Sequence, residues 1–288
     1  MTKRHALNAP GDWYVDTRCI DCGAARTVAP GLIVEGAGQS VFARQPASAE
    51  EATMAWRARL LCPTASVRTE RHAEVPAGIF PEEMTSGIYR LGYNAKSAYG
   101  AHSFAIRRNG KNAMVDAPRW TGAVVKAFEA WGGLADILLT HRDDVGDAKR
   151  YAAHFGARVW IHEADRDAAR FADQVLSGRE PVAIDADVLA IPVPGHTQGS
   201  VVYLYGRRGL FTGDSLAWSF ETNDLEAYSD YCWFSWAEQI KSLRRLLDYR
   251  FEWVFAGHGG SHYVPADEMQ ARLAALVARM AKPATAER

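Results

Sequence analysis

Short apolar runs separated by turn residues recur along most of the chain, and their spacing predicts a mixed succession of strands and helices. Trp13 to Asp16 reads as a strand, with Ser40 to Arg44 as its partner. Ala49 to Leu61 is rich in alanine and glutamate with helical periodicity, and it stops at Cys62-Pro63, where proline cannot continue a helix. Val67 to Thr69 reads as a closing strand. Glu70 to Thr85, which contains Pro76, Gly78 and Pro81, has breakers and little periodicity and reads as a linker. Beyond it, strands are expected at Gly87 to Leu91, His102 to Arg107 and Ala113 to Asp116, the last two joined by an Asn109-Gly110 hairpin turn. A helix from Thr121 to Trp131, a strand running into His141, a helix from Ala148 to Phe155, a strand from Arg158 to His162 and a helix from Glu163 to Phe171 follow. Later strands are expected at Leu189 to Val193, Val201 to Tyr205, Leu210 to Phe211 and Val254 to Ala256, with a helix at Ala237 to Leu247. Strands alternating with helices and then hairpins indicate a layered α+β fold.

Composition narrows the function classes. With 288 residues the chain can form two compact units, and 48% apolar with 23% charged residues is ordinary for a globular protein. A net charge of −1 provides no long-range attraction to nucleic acid or to an anionic membrane. Met1 to Asp12 lacks the apolar core of a signal peptide, and no stretch approaches the roughly 20 apolar residues of a membrane span. The expectation is a soluble, cytoplasmic protein. Its four cysteines, three near the N-terminus and Cys232 far away, do not make a disulfide framework.

Candidate chemistry sits where apolar runs end. Thr140-His141-Arg142-Asp143-Asp144-Val145-Gly146-Asp147, Pro194-Gly195-His196-Thr197, Thr212-Gly213-Asp214 and Gly257-His258-Gly259 each follow a predicted strand. Imidazoles and carboxylates on rigid strand ends suit metal ligation, because the loops beyond leave coordination positions open. In this order the clusters resemble the metallo-β-lactamase superfamily over roughly residues 85 to 270, whose members carry T-H-x-H-x-D-H, G-H-T, T-G-D and G-H-G. The last three are intact here, whereas the first is two residues shorter and poorer in histidine. The resemblance implies a metal site of His141, Asp143, Asp144, His196, Asp214 and His258.

Two registers fit the altered motif. In one, His141 is the first family histidine and Asp143 replaces the second; in the other, His141 takes the second place, Asp143 is the family aspartate and Asp144 replaces the last histidine. Both turn imidazoles into carboxylates, which hardens the site toward iron, manganese or magnesium relative to zinc. Asp147 is expected to cap the next helix, and Asp116 to support the ligand loop. His102, His154 and His162 read as packing or surface residues, and His262 as a residue that can orient substrate or a ligand. Tyr228 to Trp236 either walls the site's mouth or packs in the core, and Cys232 within it reads as a buried thiol.

Upstream, Trp13 to Thr69 resembles a small bacterial ferredoxin, with Cys19-Ile20-Asp21-Cys22 and Cys62-Pro63 in place but Ala25 at the third cysteine position. Such ferredoxins hold an iron-sulfur cluster on four cysteines. Three thiolates can hold a three-iron cluster, a four-iron cluster with one other ligand, or a zinc ion with a fourth group; a metal-free docking module is the alternative.

The resulting expectation is a metallo-β-lactamase αββα sandwich at residues 86–288, preceded by a ferredoxin-like domain at 1–69 and a linker at 70–85. The leading function is a hydrolase of an ester, thioester, lactone or phosphoester in which one or two divalent ions (zinc, iron or manganese) activate water, with Asp143 and Asp144 as catalytic carboxylates. A ferredoxin-coupled oxidoreductase with a redox protein partner and a non-catalytic binding module are the alternatives. A small molecule is the expected substrate.

Overall fold

Alternate burial of Trp13 and Val15 around Tyr14 makes strand β1 (Trp13–Val15) in a computed structural model that describes residues 3–71 and 74–282. His72 and Ala73, within the stretch read as a linker, lie outside the described residues, as do the first two and last six residues. Helix α1 (Ala24–Val28), strands β2 (Ile33–Glu35) and β3 (Ser40–Phe42), helix α2 (Ala49–Leu61) and strand β4 (Val67–Thr69) complete the first segment. Strand β1 pairs antiparallel with β4, Trp13 opposite Thr69. Strand β3 pairs with β2, not with β1 as expected, because the Gly36–Gln39 turn closes a local hairpin at lower loop entropy. The boundaries of α2 follow from its caps: the Ser48 hydroxyl accepts the Glu51 N–H at 3.2 Å, and Cys62-Pro63 ends the helix. Trp13, Val15, Leu32, Phe42, Trp56 and Leu61 share a core that Ile79 and Phe80 also enter.

The next four strands form an antiparallel meander: β5 (Glu82–Thr85), β6 (Ile88–Arg90), β7 (Phe104–Ile106) and β8 (Ala113–Val115). The end of the stretch read as a linker is thus a strand. Its Glu82 carboxylate lies 2.9 Å from both Arg90 of β6 and Arg57 of α2. Helix α3 (Gly122–Ala130), strand β9 (Asp136–Leu138), helix α4 (Ala148–Phe155) and strand β10 (Arg158–His162) follow. The chain divides into two compact units, Met1–Ile137 with Asp143–Val159, and Leu138–Arg142 with Trp160–Arg288.

Within the first unit, the ferredoxin-like segment and the meander are joined by polar contacts as well as by core. The Arg119 guanidinium donates to the carbonyls of Leu60 at 2.8 Å, Cys62 at 3.2 Å and Asn94 at 3.1 Å. The Tyr99 hydroxyl donates to the Ile20 carbonyl, and buried His102 meets the Thr27 hydroxyl at 2.9 Å. His102 precedes β7 and does not lie in it.

In the second unit, β10 pairs in parallel with β11 (Gln174–Leu176). The helix expected over Glu163 to Phe171 is a 3₁₀ helix, Glu163–Ala169, capped by His162 and turning Asp165 inward. Strands β12 (Val182–Ala183), β13 (Val188–Pro192), β14 (Val201–Tyr205) and β15 (Gly209–Gly213) precede the small hairpin β16 (Ala217–Ser219) and β17 (Asp224–Glu226). Helix α5 (Trp236–Arg245), strands β18 (Trp253–Ala256) and β19 (His262–Tyr263) and helix α6 (Ala266–Met280) close the chain. The six-stranded sheet runs β12-β13-β14-β15-β18-β19, antiparallel except for the parallel pair β15–β18. Leu243 of α5 and Met269 and Leu273 of α6 pack with Ile191, Leu210 and Val254 of this sheet. Among the described residues, no helix is long and apolar enough to cross a membrane.

Candidate metal centre

Three histidines converge on one carboxylate within the second unit. His141 follows β9, His196 follows β13, Asp214 is the residue after β15, and His258 lies just beyond β18. The Asp214 Oδ2 atom lies 3.6 Å from His141 Nε2, 3.6 Å from His196 Nε2 and 3.9 Å from His258 Nε2. These separations are too long for hydrogen bonds. They are close to the roughly 3.4 Å between two ligands bonded at about 2.1 Å to one tetrahedral ion. His141, His196 and Asp214 therefore offer a ready three-ligand set, with His141 and His196 almost fully buried.

The surroundings aim these donors. The Thr140 hydroxyl lies 3.0 Å from His141 Nδ1, which leaves Nε2 directed at Asp214, as outer partners of metal-bound histidines do. Gly213 makes the close approach possible: at its positive φ of 49°, an added Cβ would stand 2.5 Å from the Thr140 hydroxyl.

Two residues that the motif reading missed hold the ligand loops together. Buried Asp165 accepts the Arg142 N–H at 3.0 Å, the Thr197 hydroxyl at 2.6 Å and the Gly199 N–H at 3.2 Å, tying the His141 loop to the His196 loop. Gln239 of α5 accepts the His196 N–H at 2.7 Å and donates to the Ser215 carbonyl at 2.6 Å, tying the His196 loop to the Asp214 loop. Neither lies in a family motif, and their burial is visible only in the fold. Gln239→Ala leaves two buried backbone groups unpaired and is expected to cost about 2 to 4 kcal/mol. It should also weaken metal binding by roughly 10- to 100-fold. Urea unfolding and metal titration check both.

Of the carboxylates in the altered motif, Asp144 is buried and Asp143 is exposed. Asp147 occupies the N-cap position of α4, but its side chain does not cap; its Oδ2 accepts the Trp120 N–H at 2.6 Å instead. Asp116 is buried with a positive φ of 52°. His162 caps the 3₁₀ helix, His154 pairs with Glu129, and His262 stacks on Trp218 at 4.2 Å, where burial and Arg272 lower its pKa.

The aromatic run Tyr228 to Trp236 does not pack as core. Trp233 and Tyr231 are 64% and 61% exposed, and Phe234 is also exposed. The His196 carbonyl accepts the N–H groups of Trp233 and Phe234, so these aromatics are anchored directly to a ligand loop. Cys232 is half-buried, and its thiol donates to the Gly195 carbonyl at 3.1 Å. Burial and the nearby Glu226 and Asp214 carboxylates raise the pKa of Tyr228, which keeps its hydroxyl protonated.

In the first unit, Cys19 and Cys22 are half-buried and Cys62 is buried. Burial pushes the Cys22 thiol up to about 11, and the neighbouring Cys62 and Cys19 sulfurs add to the shift.

Solved structures share this architecture. The metallo-β-lactamase VMB-1 superposes with a TM-score of 0.53 at 16% identity, over 70% of this chain and 97% of that one. The BLEG-1 B3 metallo-β-lactamase does so at 0.50 and 19% identity, over 61% and 93%. This chain has the metallo-β-lactamase fold. Sequence relatives agree: the hydroxyacylglutathione hydrolase of Acidiphilium cryptum is 35% identical over 119 residues, 40% of this chain and 49% of the relative. That of Anaeromyxobacter dehalogenans is 44% identical over 123 residues, 41% of this chain and 47% of the relative. The chain thus spans about half the length of these curated relatives. The uncharacterized protein YobT of Bacillus subtilis is 27% identical over 60% of this chain and 88% of its own length. Residues 15–69 match the family described as the 4Fe-4S single cluster domain of Ferredoxin I. The chain therefore joins a ferredoxin-like segment to a metallo-β-lactamase-like part, as the motifs led us to expect.

Proposed function

We propose that the chain is a metal-dependent hydrolase acting on a small thioester or related ester. The observation that carries this reading is the placement of three imidazole nitrogens 3.6 to 3.9 Å around one Asp214 oxygen. His141, His196 and Asp214 would hold a divalent ion such as zinc, iron or manganese, and His258, 3.9 Å from the same Asp214 oxygen, would be available to a second. When bound, that ion supplies a Lewis acid and an acidified water. Of the motif's two carboxylates, which the family resemblance offers as further ligands or catalytic groups, Asp144 is buried and Asp143 exposed. Asp214 brings negative charge to the histidine cluster, and Thr140 orients His141. Exposed Trp233 and Tyr231 offer apolar surface for the acyl or leaving group.

A thioester is favoured by the hydroxyacylglutathione hydrolases among the relatives. The domain reading accompanies this proposal, with 1–69 ferredoxin-like and 86–288 carrying the hydrolase site, the connection between them ending at Pro81, just before β5 begins. The test is turnover of S-(2-hydroxyacyl)glutathiones, aryl esters, lactones and phosphodiesters by the full chain with its metal content assayed. Thioester hydrolysis that follows metal content is the expected result. A filled site that turns over none of these classes would sink the proposal.

The oxidoreductase alternative draws on the three neighbouring cysteines. It requires iron at the histidine cluster, and zinc there would remove it.

A further inference from the structure

The cysteine site in the first unit has a feature that a four-iron ferredoxin lacks. Ala25, at the third cysteine position, lies in α1 and is buried among the apolar side chains of the Trp13–Phe42 core. Its methyl group offers no ligand atom. Asp21, between Cys19 and Cys22, is already engaged by Arg26 at 2.5 Å, and Arg26 also reaches the Ser40 hydroxyl at 2.9 Å.

Each of the three remaining sulfurs accepts a backbone N–H. Cys19 Sγ accepts the N–H groups of Asp21 at 3.4 Å and Ser40 at 3.5 Å. Cys62 Sγ accepts the Ser66 N–H at 3.2 Å, and Cys22 accepts that of Ala24. Backbone donors to sulfur are among the features that set the reduction potential of iron-sulfur clusters. Gly100, contributed by the β6–β7 connection of the meander, closes the site. At its φ of 88°, an added Cβ would lie 2.7 Å from Cys22 Sγ and 3.0 Å from Pro63 Cγ.

We propose that Cys19, Cys22 and Cys62 hold a three-iron cluster, with no iron at the apolar corner occupied by Ala25, and that Gly100 seals it. A four-iron cluster needs a fourth ligand atom, and the alanine at the third cysteine position supplies none. The inference concerns only the first unit and stands independently of the hydrolase reading.

The experiment is anaerobic reconstitution of the full chain with iron and sulfide, followed by iron and acid-labile sulfide assay and electron paramagnetic resonance. Sulfide and resonance keep iron at the histidine cluster from being mistaken for cluster iron. The wild-type chain is expected to take up about three irons and four sulfides at this site and to be paramagnetic when oxidised. Ala25→Cys should add about one iron and make the oxidised cluster silent, as for four cysteine ligands. Gly100→Ala should lose most of the sulfide while its circular dichroism stays that of a folded chain. A wild-type chain that binds zinc without sulfide, takes up no sulfide, or assembles a stable four-iron cluster would overturn the proposal. So would an Ala25→Cys chain whose resonance matches the wild type.

Discussion

Asp214→Asn is expected to abolish stoichiometric metal binding at the histidine cluster and to lower hydrolysis by at least about 100-fold, beyond the roughly 10- to 100-fold that outer partners of a metal site contribute. Asparagine keeps the shape but removes the charge. Its amide can also turn an N–H₂ group toward the three imidazole nitrogens that now lie 3.6 to 3.9 Å from Oδ2. The result is a cluster of neutral donors with no anion to complete it. Metal content by elemental analysis and thioester turnover should fall together while the unfolding midpoint of the metal-free chain changes little. Retention of stoichiometric metal would show that the carboxylate is not a ligand.

Asp165→Ala is expected to be the most damaging single change outside the ligands. The Asp165 carboxylate receives three donors, the Arg142 N–H, the Thr197 hydroxyl and the Gly199 N–H, in a site where water does not reach. Each donor left unpaired costs about 1 to 3 kcal/mol, so the loss should be roughly 4 kcal/mol or more. With a urea m-value of about 2 kcal/mol/M, the midpoint should drop by about 2 M. Because Asp165 spans the His141 and His196 loops, metal affinity should fall as well. Asp165→Asn, which keeps an acceptor oxygen, should recover part of both. An Asp165→Ala chain with an unchanged midpoint would mean that the loops hold their positions without it.

The ligand strands were legible because His141, His196, Asp214 and His258 fall where the apolar runs of β9, β13, β15 and β18 stop, and elsewhere β14 and α4 match their expected boundaries residue for residue. Strand β5 was hidden by Pro76, Gly78 and Pro81 just upstream, although Glu82 pairs opposite Arg90. Helix α1 is only five residues long, too short to establish a period. Helix α6 was readable, since Met269, Leu273, Leu276 and Val277 repeat at helical spacing, but no motif drew attention to it. Asp165 and Gln239 could not be found by motif, because they act through backbone groups far along the chain that only the fold brings near.

Arg119 has a consequence for how this chain can be divided. Its guanidinium binds carbonyls on both sides of the Thr69–Glu70 junction, and Phe80 fills the core of the segment before it. A gene cut at that junction would yield two fragments, each with an open apolar wound and orphaned carbonyls, and neither is expected to stay in solution alone. The ferredoxin-like segment is thus a keystone of the first unit: deletion would bring down the meander built against it.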